Sequence, residues 1–300
     1  MKTLKNTYAM GIVIALFSEV LFGLSFVFIR LCVNEVSVFT LLSWRTVTAF
    51  IAMTICACLG IIKIDLKGKD LKLLLLLSFF QPVLYFIMET LGVQRTTAAE
   101  SGVLLACIPM ITMLFSSVFL KDKPTGRQAF FMVVTVTGAV MIGMGGELQT
   151  SSSFLGYFFL LIAMCSEAAY SITSQSLKGF NSAEKTYAMI TSGAVVFTGC
   201  ALVEHGMKGT VTEFLTLPFH DMEFLICILY LALGCNVIAF LCANFSISII
   251  GATKRASFAG IASVVSILGG VFYLGESFTM IQVIATVLVL VGAYGVNKKQ

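Results

Sequence analysis

The chain has 300 residues, of which 58% are hydrophobic and 11% charged, with a formal net charge of +4. Soluble domains carry about 25% charged residues, so so few charges cannot cover the surface of a water-soluble fold of this length. What remains is an all-α, polytopic membrane protein with no nucleic-acid partner. The nine cysteines are scattered through apolar stretches with no CxxC pair, which excludes a disulfide framework and a zinc site.

A membrane-crossing helix needs about 20 mostly apolar residues. Ten stretches meet that need, at 9–30, 38–60, 71–92, 97–120, 127–146, 154–176, 185–205, 222–242, 252–274 and 278–296. The first, behind Lys2 and Lys5, is too long for a signal-peptide core and is read as a retained span. The connections are short, charged and rich in turn formers; the longest is "EHGMKGTVTEFLTLPFHD", after the seventh span. With the N-terminus inside, 15 of the 19 Lys and Arg fall on the cytoplasmic side and three outside (Arg30, Arg95, Lys208), with Arg45 within a span. That bias places both termini inside, and Lys254 and Arg255 read as topology anchors.

The second half echoes the first. At an offset of 154, residues 98–140 meet their counterparts with eight identities in 43 positions, among them Leu120, Thr125, Gln128 and Gly138. Ala98, Gly102 and Ala106 align with Ala252, Ala256 and Gly260, two small-residue ridges of the kind that lets helix backbones approach. Five spans per half invert the second repeat relative to the first, so residues 1–149 and 150–300 are expected to be inverted repeats of one transmembrane unit. Inverted repeats characterise secondary transporters, with substrate handled between the halves.

Two glutamates stand out. Glu19 lies mid-span in "ALFSEVLFG" and Glu167 mid-span in "AMCSEAAYS", each after a serine, at an offset of 148. An acidic residue at a helix centre costs about 2.5–3.5 kcal/mol on insertion scales, so a matched pair needs a reason to persist. Burial disfavours the ionised form, and such a carboxyl can exchange a proton for a substrate. Glu19 and Glu167 are therefore candidate proton carriers or cation-binding groups; neutral residues that bond helices together are the alternative.

Other polar groups at depth are candidate cavity liners, with hydrogen bonding between helices as the alternative: Gln81 and Tyr85 in the third span, Tyr170 three residues after Glu167, and Asn236 and Asn244 in the eighth span. Pro82 should kink the third span. Glu89, Glu100 and Arg45, with Arg95 and Arg30 at similar depth, form either an interfacial ion-pair cluster or a candidate outer gate. No HExxH, GxSxG, Walker A or dinucleotide fingerprint occurs, so neither an enzyme nor a cofactor or metal is expected, and energy must come from a gradient.

The stretch "LKDKPTGRQ…VTGAVMIG" and its echo "LGESFTMIQ…LVGAYGV", on five-plus-five spans, resemble the EamA-type transporters of the drug/metabolite transporter superfamily. The resemblance implies a cavity surrounded by spans 1, 3, 4, 6, 8 and 9, with spans 5 and 10 packed aside. It also implies acidic residues between each repeat's fourth and fifth spans, here Asp122 and Glu276, which read as structural. "ALFSEVLFG" also resembles the first helix of the small multidrug resistance exporters, where a membrane glutamate binds proton and cationic drug in competition.

The expected function is proton-coupled export of amino acids, metabolites or cationic drugs; an uncoupled facilitator and a non-transporting scaffold are the alternatives. Expected partners are the solute, protons and the lipid bilayer, and a monomer suffices. The lack of a targeting extension suits a bacterial inner membrane.

Overall fold

The computed structural model describes residues 2–33, 35–119, 125–145 and 151–297. Among these residues every regular element is helical. Eight helices are long and apolar enough to cross a membrane. They are α1 (Lys2–Cys32), α2 (Val38–Cys58), α3 (Lys72–Arg95), α4 (Ala98–Phe119), α6 (Ser151–Ser176), α7 (Ser182–Lys208), α8 (Met222–Ile250) and α9 (Ala252–Phe272). Two further apolar helices, α5 (Gly126–Gly145) and α10 (Met280–Asn297), are shorter as apolar segments. Apolar residues encircle most of these helices, as lipid on one side and protein on the other require.

The packing follows a simple rule. α2 lies on α7, α4 on α9 and α5 on α10; α3 lies on α6 and α8 on α1; α4 lies on α6 and α9 on α1. Exchanging each helix with the one five places away returns the same set of pairs. The largest core cluster sits where α1, α4, α6 and α8 converge and includes Phe26, Ile29, Val103, Ile111, Met164, Ile228 and Leu231.

Helix ends explain several of the repeat identities. Thr125 N–H and Oγ1 donate to Gln128 Oε1 (2.8 and 3.1 Å), and Gln128 N–H donates back to Thr125 Oγ1 (3.3 Å). Thr279 and Gln282 repeat this arrangement at 2.9, 3.2 and 3.3 Å. Both are capping boxes, in which the first residue and the fourth satisfy each other's free N–H groups. α5 and α10 then run antiparallel, tied by Gln128 Nε2 to Val296 O (2.9 Å), while Gly138 abuts Ala285 and Val289 and Gly292 abuts Thr135.

The small-residue ridge on α4 meets α9 closely. A Cβ on Gly102 would lie 2.5 Å from Ser266 Cβ, and the serines of α9 use the proximity: Ser263 donates to Gly102 O and Ser266 to Ala98 O (2.5 and 2.6 Å). Glu276, expected to be structural, accepts from the N–H groups of Ala98 and Ala99 at the start of α4 (2.7 and 2.9 Å), where free donors and the helix dipole favour a carboxylate. Asp122 lies outside the described residues.

The loop after α7 departs from expectation by containing a helix, Val211–His220. Its Phe214 and Pro218, one turn apart, are buried, and Trp44 Nε1 donates to Phe214 O (3.0 Å) while His205 stacks on the Phe214 ring. In sequence this face is obscured by Thr212, Glu213 and Thr216, which stand around Phe214 and Pro218.

Candidate functional site

α3 opens the site. Proline pushes the residue before it toward extended backbone, and Gln81 adopts φ −137° and ψ 113° ahead of Pro82, between the segments Lys72–Ser78 and Tyr85–Arg95. Ser166, the residue before Glu167, donates to Phe80 O at this break (2.7 Å). The expected kink is thus present, and it turns Gln81 and Tyr85 toward α1, α2 and α6. The stretch Tyr230–Ala239 of α8 is also wound more widely than an α-helix, so both helices that flank the centre carry an irregular segment. Such wide turns occur often at functional sites.

Within this frame lies a narrow cavity, with about 50 Å³ of free space, whose wall includes Glu19, Arg45, Gln81, Tyr85, Glu89, Glu167 and Arg255. Its apolar wall is aromatic: Phe22 and Phe86 lie 5.0 and 6.0 Å from Phe240, ring centre to ring centre. A lining of this kind, mostly apolar with a few convergent polar groups, is typical of sites for small solutes.

The two glutamates meet there, and a cation joins them. Arg255 Nη1 lies 2.5 Å from Glu167 Oε1, and Arg255 Nη2 lies 3.0 Å from Glu19 Oε1 as an ion-pair contact without hydrogen-bond alignment. All three residues are at most 5% exposed. The reading of Arg255 as a topology anchor is therefore corrected. It is the fourth residue of α9, and its long side chain reaches inward to α1 and α6 rather than outward. A buried charge needs a partner, and two carboxylates at depth demanded a cation that the repeat comparison could not supply, since Ser101 stands opposite Arg255 at the offset of 154.

A second polar group occupies the same cavity. Arg45, 2% exposed, donates from Nη2 to Asn236 Oδ1 (2.9 Å), receives Asn236 Nδ2 on its backbone carbonyl (3.2 Å), and stacks on Phe86 with its guanidinium carbon 3.9 Å from the ring centre. Among the described residues its Nε and Nη1 have no hydrogen-bond partner, and neither has Arg255 Nε. Tyr85 donates to Glu89 Oε1 (2.9 Å), and Gln81 Oε1 has no donor among the described residues.

The expected liners divide. Gln81 and Tyr85 face the cavity; Asn236 supports Arg45 from behind. Asn244 and Tyr170 are spent on each other: Asn244 Oδ1 accepts from Tyr170 (3.1 Å) and Ser174 (2.8 Å), and its Nδ2 donates to Thr186 (3.1 Å). These bonds join α6, α7 and α8, so both residues are interhelical ties. The group Glu89, Glu100 and Arg45 also separates. Glu89 and Arg45 line the cavity, whereas Glu100 closes a capping box with Thr97 and accepts from Gln282 Nε2 (2.8 Å). Arg30 donates to the carbonyls of Val93 and Gln94 (3.1 and 3.2 Å) and Arg95 to Leu91 O (3.0 Å). Arg30 thus satisfies free carbonyls at the end of α3, and no ion pair joins Arg30, Arg45 or Arg95 to Glu89 or Glu100 among the described residues.

Comparison with known proteins places this architecture. The profile of the EamA-like transporter family matches residues 9–144 and again 154–298. YcxC of Bacillus subtilis (strain 168), described as an uncharacterized transporter, is 30% identical over 98% of this chain and 94% of its own length. An uncharacterized transporter of Archaeoglobus fulgidus is 24% identical over 93% of this chain and 95% of its own length. A crystal structure of a protein 14% identical, covering 95% of this chain and 97% of that one, superposes with a TM-score of 0.62, which speaks for the fold alone. With two family matches spanning nearly all its residues, the chain belongs to the EamA-like transporter family and is a multi-pass membrane transporter.

Proposed function

We propose that this protein is a proton-coupled secondary transporter that exports small organic solutes across the cytoplasmic membrane, a bacterial inner membrane, through the cavity between two inverted five-helix repeats. The repeats are residues 1–149 and 150–300, with ten spans in all and both termini inside. The self-consistent exchange of helix pairs supports the repeat, and the distribution of Lys and Arg supports the orientation. The alternating-access logic of such repeats puts solute between them.

One observation carries the coupling: Glu19 and Glu167, from the first and second halves, share a single cation, Arg255. With all three ionised, the centre holds one uncompensated negative charge. Away from water that charge is costly, and one proton removes it. The centre is thus suited to carry one proton per cycle, shared by the two carboxylates. A free cationic drug fits less well, because Arg255 already occupies the carboxylate pair.

The test is flux in proteoliposomes with a trapped pH dye, comparing the wild type with Glu19→Gln and Glu167→Gln. Coupled transport predicts that an outward solute gradient moves protons in the wild type and that either variant abolishes the proton signal. Solute movement without a proton signal, or variants that behave as wild type, replaces coupling with facilitated diffusion.

A further inference from the structure

We propose that Cys32 and Cys227 form a modification site, at which a small cationic disulfide oxidises the two thiols to one disulfide that latches the outer end of α1 to the outer end of α8. Cys32 closes α1 and Cys227 lies in the second turn of α8, and both are buried. Far apart in sequence, they fall in one core cluster, with each thiol within hydrogen-bonding reach of the other. A single cross-link between such distant residues is not something that cysteine spacing could reveal. Cys235, two turns further along α8, turns its thiol to Leu21 O instead (3.5 Å).

The neighbouring contacts hold the pair in register. Phe28, one turn before Cys32, stacks on Tyr230, three residues after Cys227, with ring centres 4.2 Å apart. Tyr230 also donates to Leu21 O (2.8 Å). The contact between α1 and α8 therefore runs over several turns and ends at the thiols. A disulfide demands a specific backbone separation, and two helices already packed along their length supply it without a large movement.

The pair is also within reach of solvent. Cys32 and Cys227 line a pocket with about 320 Å³ of free space, against about 50 Å³ in the central cavity. Its wall holds three carboxylates, Glu35, Asp221 and Glu223, and no basic side chain. Glu35 and Glu223 are exposed, so the pocket opens to water. Three carboxylates concentrate cations and repel anions, which selects a cationic oxidant over an anionic one. In the orientation given by Lys and Arg the pocket faces outward, the side on which disulfides persist.

The step is thiol–disulfide exchange. One thiol of the pair, as thiolate, attacks the oxidant's disulfide and expels half of it as a thiol. The other thiol then displaces the second half. One S–S bond forms and one breaks, and the two electrons and two protons given up by the pair leave in the two small thiols. The consequence is mechanical, and this last step rests on the transport reading. α1 carries Glu19 and belongs to the first half; α8 carries Asn236 and belongs to the second. Opening the central site outward parts the two halves on that side, and a covalent bond between them forbids it.

The experiment treats proteoliposomes of the full chain with cystamine, a dicationic disulfide, or with dithiodipropionate, a dianionic one of similar size. Digestion and mass spectrometry then read the products, which needs no variant. The expected product is a linked pair of peptides containing Cys32 and Cys227, two hydrogen atoms lighter than the separate peptides. Cystamine should form it faster than dithiodipropionate, with the gap closing at high salt. Solute flux should stop on oxidation and return with dithiothreitol, whereas the double variant Cys32→Ala, Cys227→Ala should keep its flux in cystamine. Absence of the linked peptides overturns the site, and a rate difference that salt does not change overturns the cationic oxidant. Linked peptides with undiminished flux overturn the latch. If the reduced wild type moves no solute at all, the transport reading fails and the latch with it, while the linked peptides still judge the site.

Discussion

Arg255 and Arg45 are both buried in one cavity, yet they are held in opposite ways. Arg255 has a carboxylate on each side, from α1 and from α6. Arg45 has one amide, one aromatic face and an unpaired edge. A cation with its charge answered by its own chain is an internal tie. Arg45, with no carboxylate in ion-pair contact, leaves two donors without a partner among the described residues, and the fold bears the cost of keeping them so.

The sharpest way to break this contrast is to delete each arginine in turn. Arg255→Ala leaves two carboxylates buried without a cation and should destabilise the protein by about 3–5 kcal/mol, read as thermal unfolding in detergent; an unchanged midpoint would sink the tie. Arg45→Met removes a charge with no carboxylate in ion-pair contact but leaves the buried Asn236 Oδ1 without its donor, a loss of about 1–3 kcal/mol. Its midpoint should therefore fall less than that of Arg255→Ala.

A second experiment sharpens the first. Combining Arg255→Met with Glu19→Gln and Glu167→Gln removes all three charges together and should recover most of the stability lost in Arg255→Ala, with proton movement absent. If the triple variant unfolds as readily as the single one, packing rather than charge holds the centre.

Smaller effects are expected away from the cavity. Gly102→Val forces a side chain into Ser266 at the α4–α9 crossing, and overpacking of this kind costs about 1–3 kcal/mol. Thr125→Val and Thr279→Val each remove one capping box, for about 1 kcal/mol apiece. These boxes sit at opposite ends of the antiparallel α5–α10 pair, so the double variant should show the sum of the two losses. A loss well short of that sum would mean that the pair does not unfold as one unit with the rest.

The fold was largely legible because a bilayer asks so little of a sequence: length and hydropathy alone mark the helices. The expected stretch 38–60 is α2 at Val38–Cys58, and 252–274 is α9 at Ala252–Phe272. Thr125, Gln128, Gly138 and their twins were visible as repeats because caps and close crossings depend on local geometry that both halves share. Glu19 and Glu167 were visible for the same reason. Arg255 was not, because it has no twin and stands beside Lys254 at a helix start, where a basic residue ordinarily marks the membrane face. Asn244 and Tyr170 were read as cavity liners because sequence gives the depth of a polar group, not its direction. Depth is common to a substrate ligand and to a bond between α6 and α8.

The triad also sets an order of events during synthesis. Arg255 is made 88 residues after Glu167 and long after Glu19. The earlier helices must therefore enter the bilayer with both acids lacking their eventual counter-ion. Only when α9 arrives can the centre close, which makes α9 the keystone of assembly. Chains truncated just before Ala252 should linger as loosely joined helices, exposed to membrane proteases, whereas chains extended through α9 should become resistant. Pulse-chase degradation of the two lengths would show whether one late arginine seals the whole bundle.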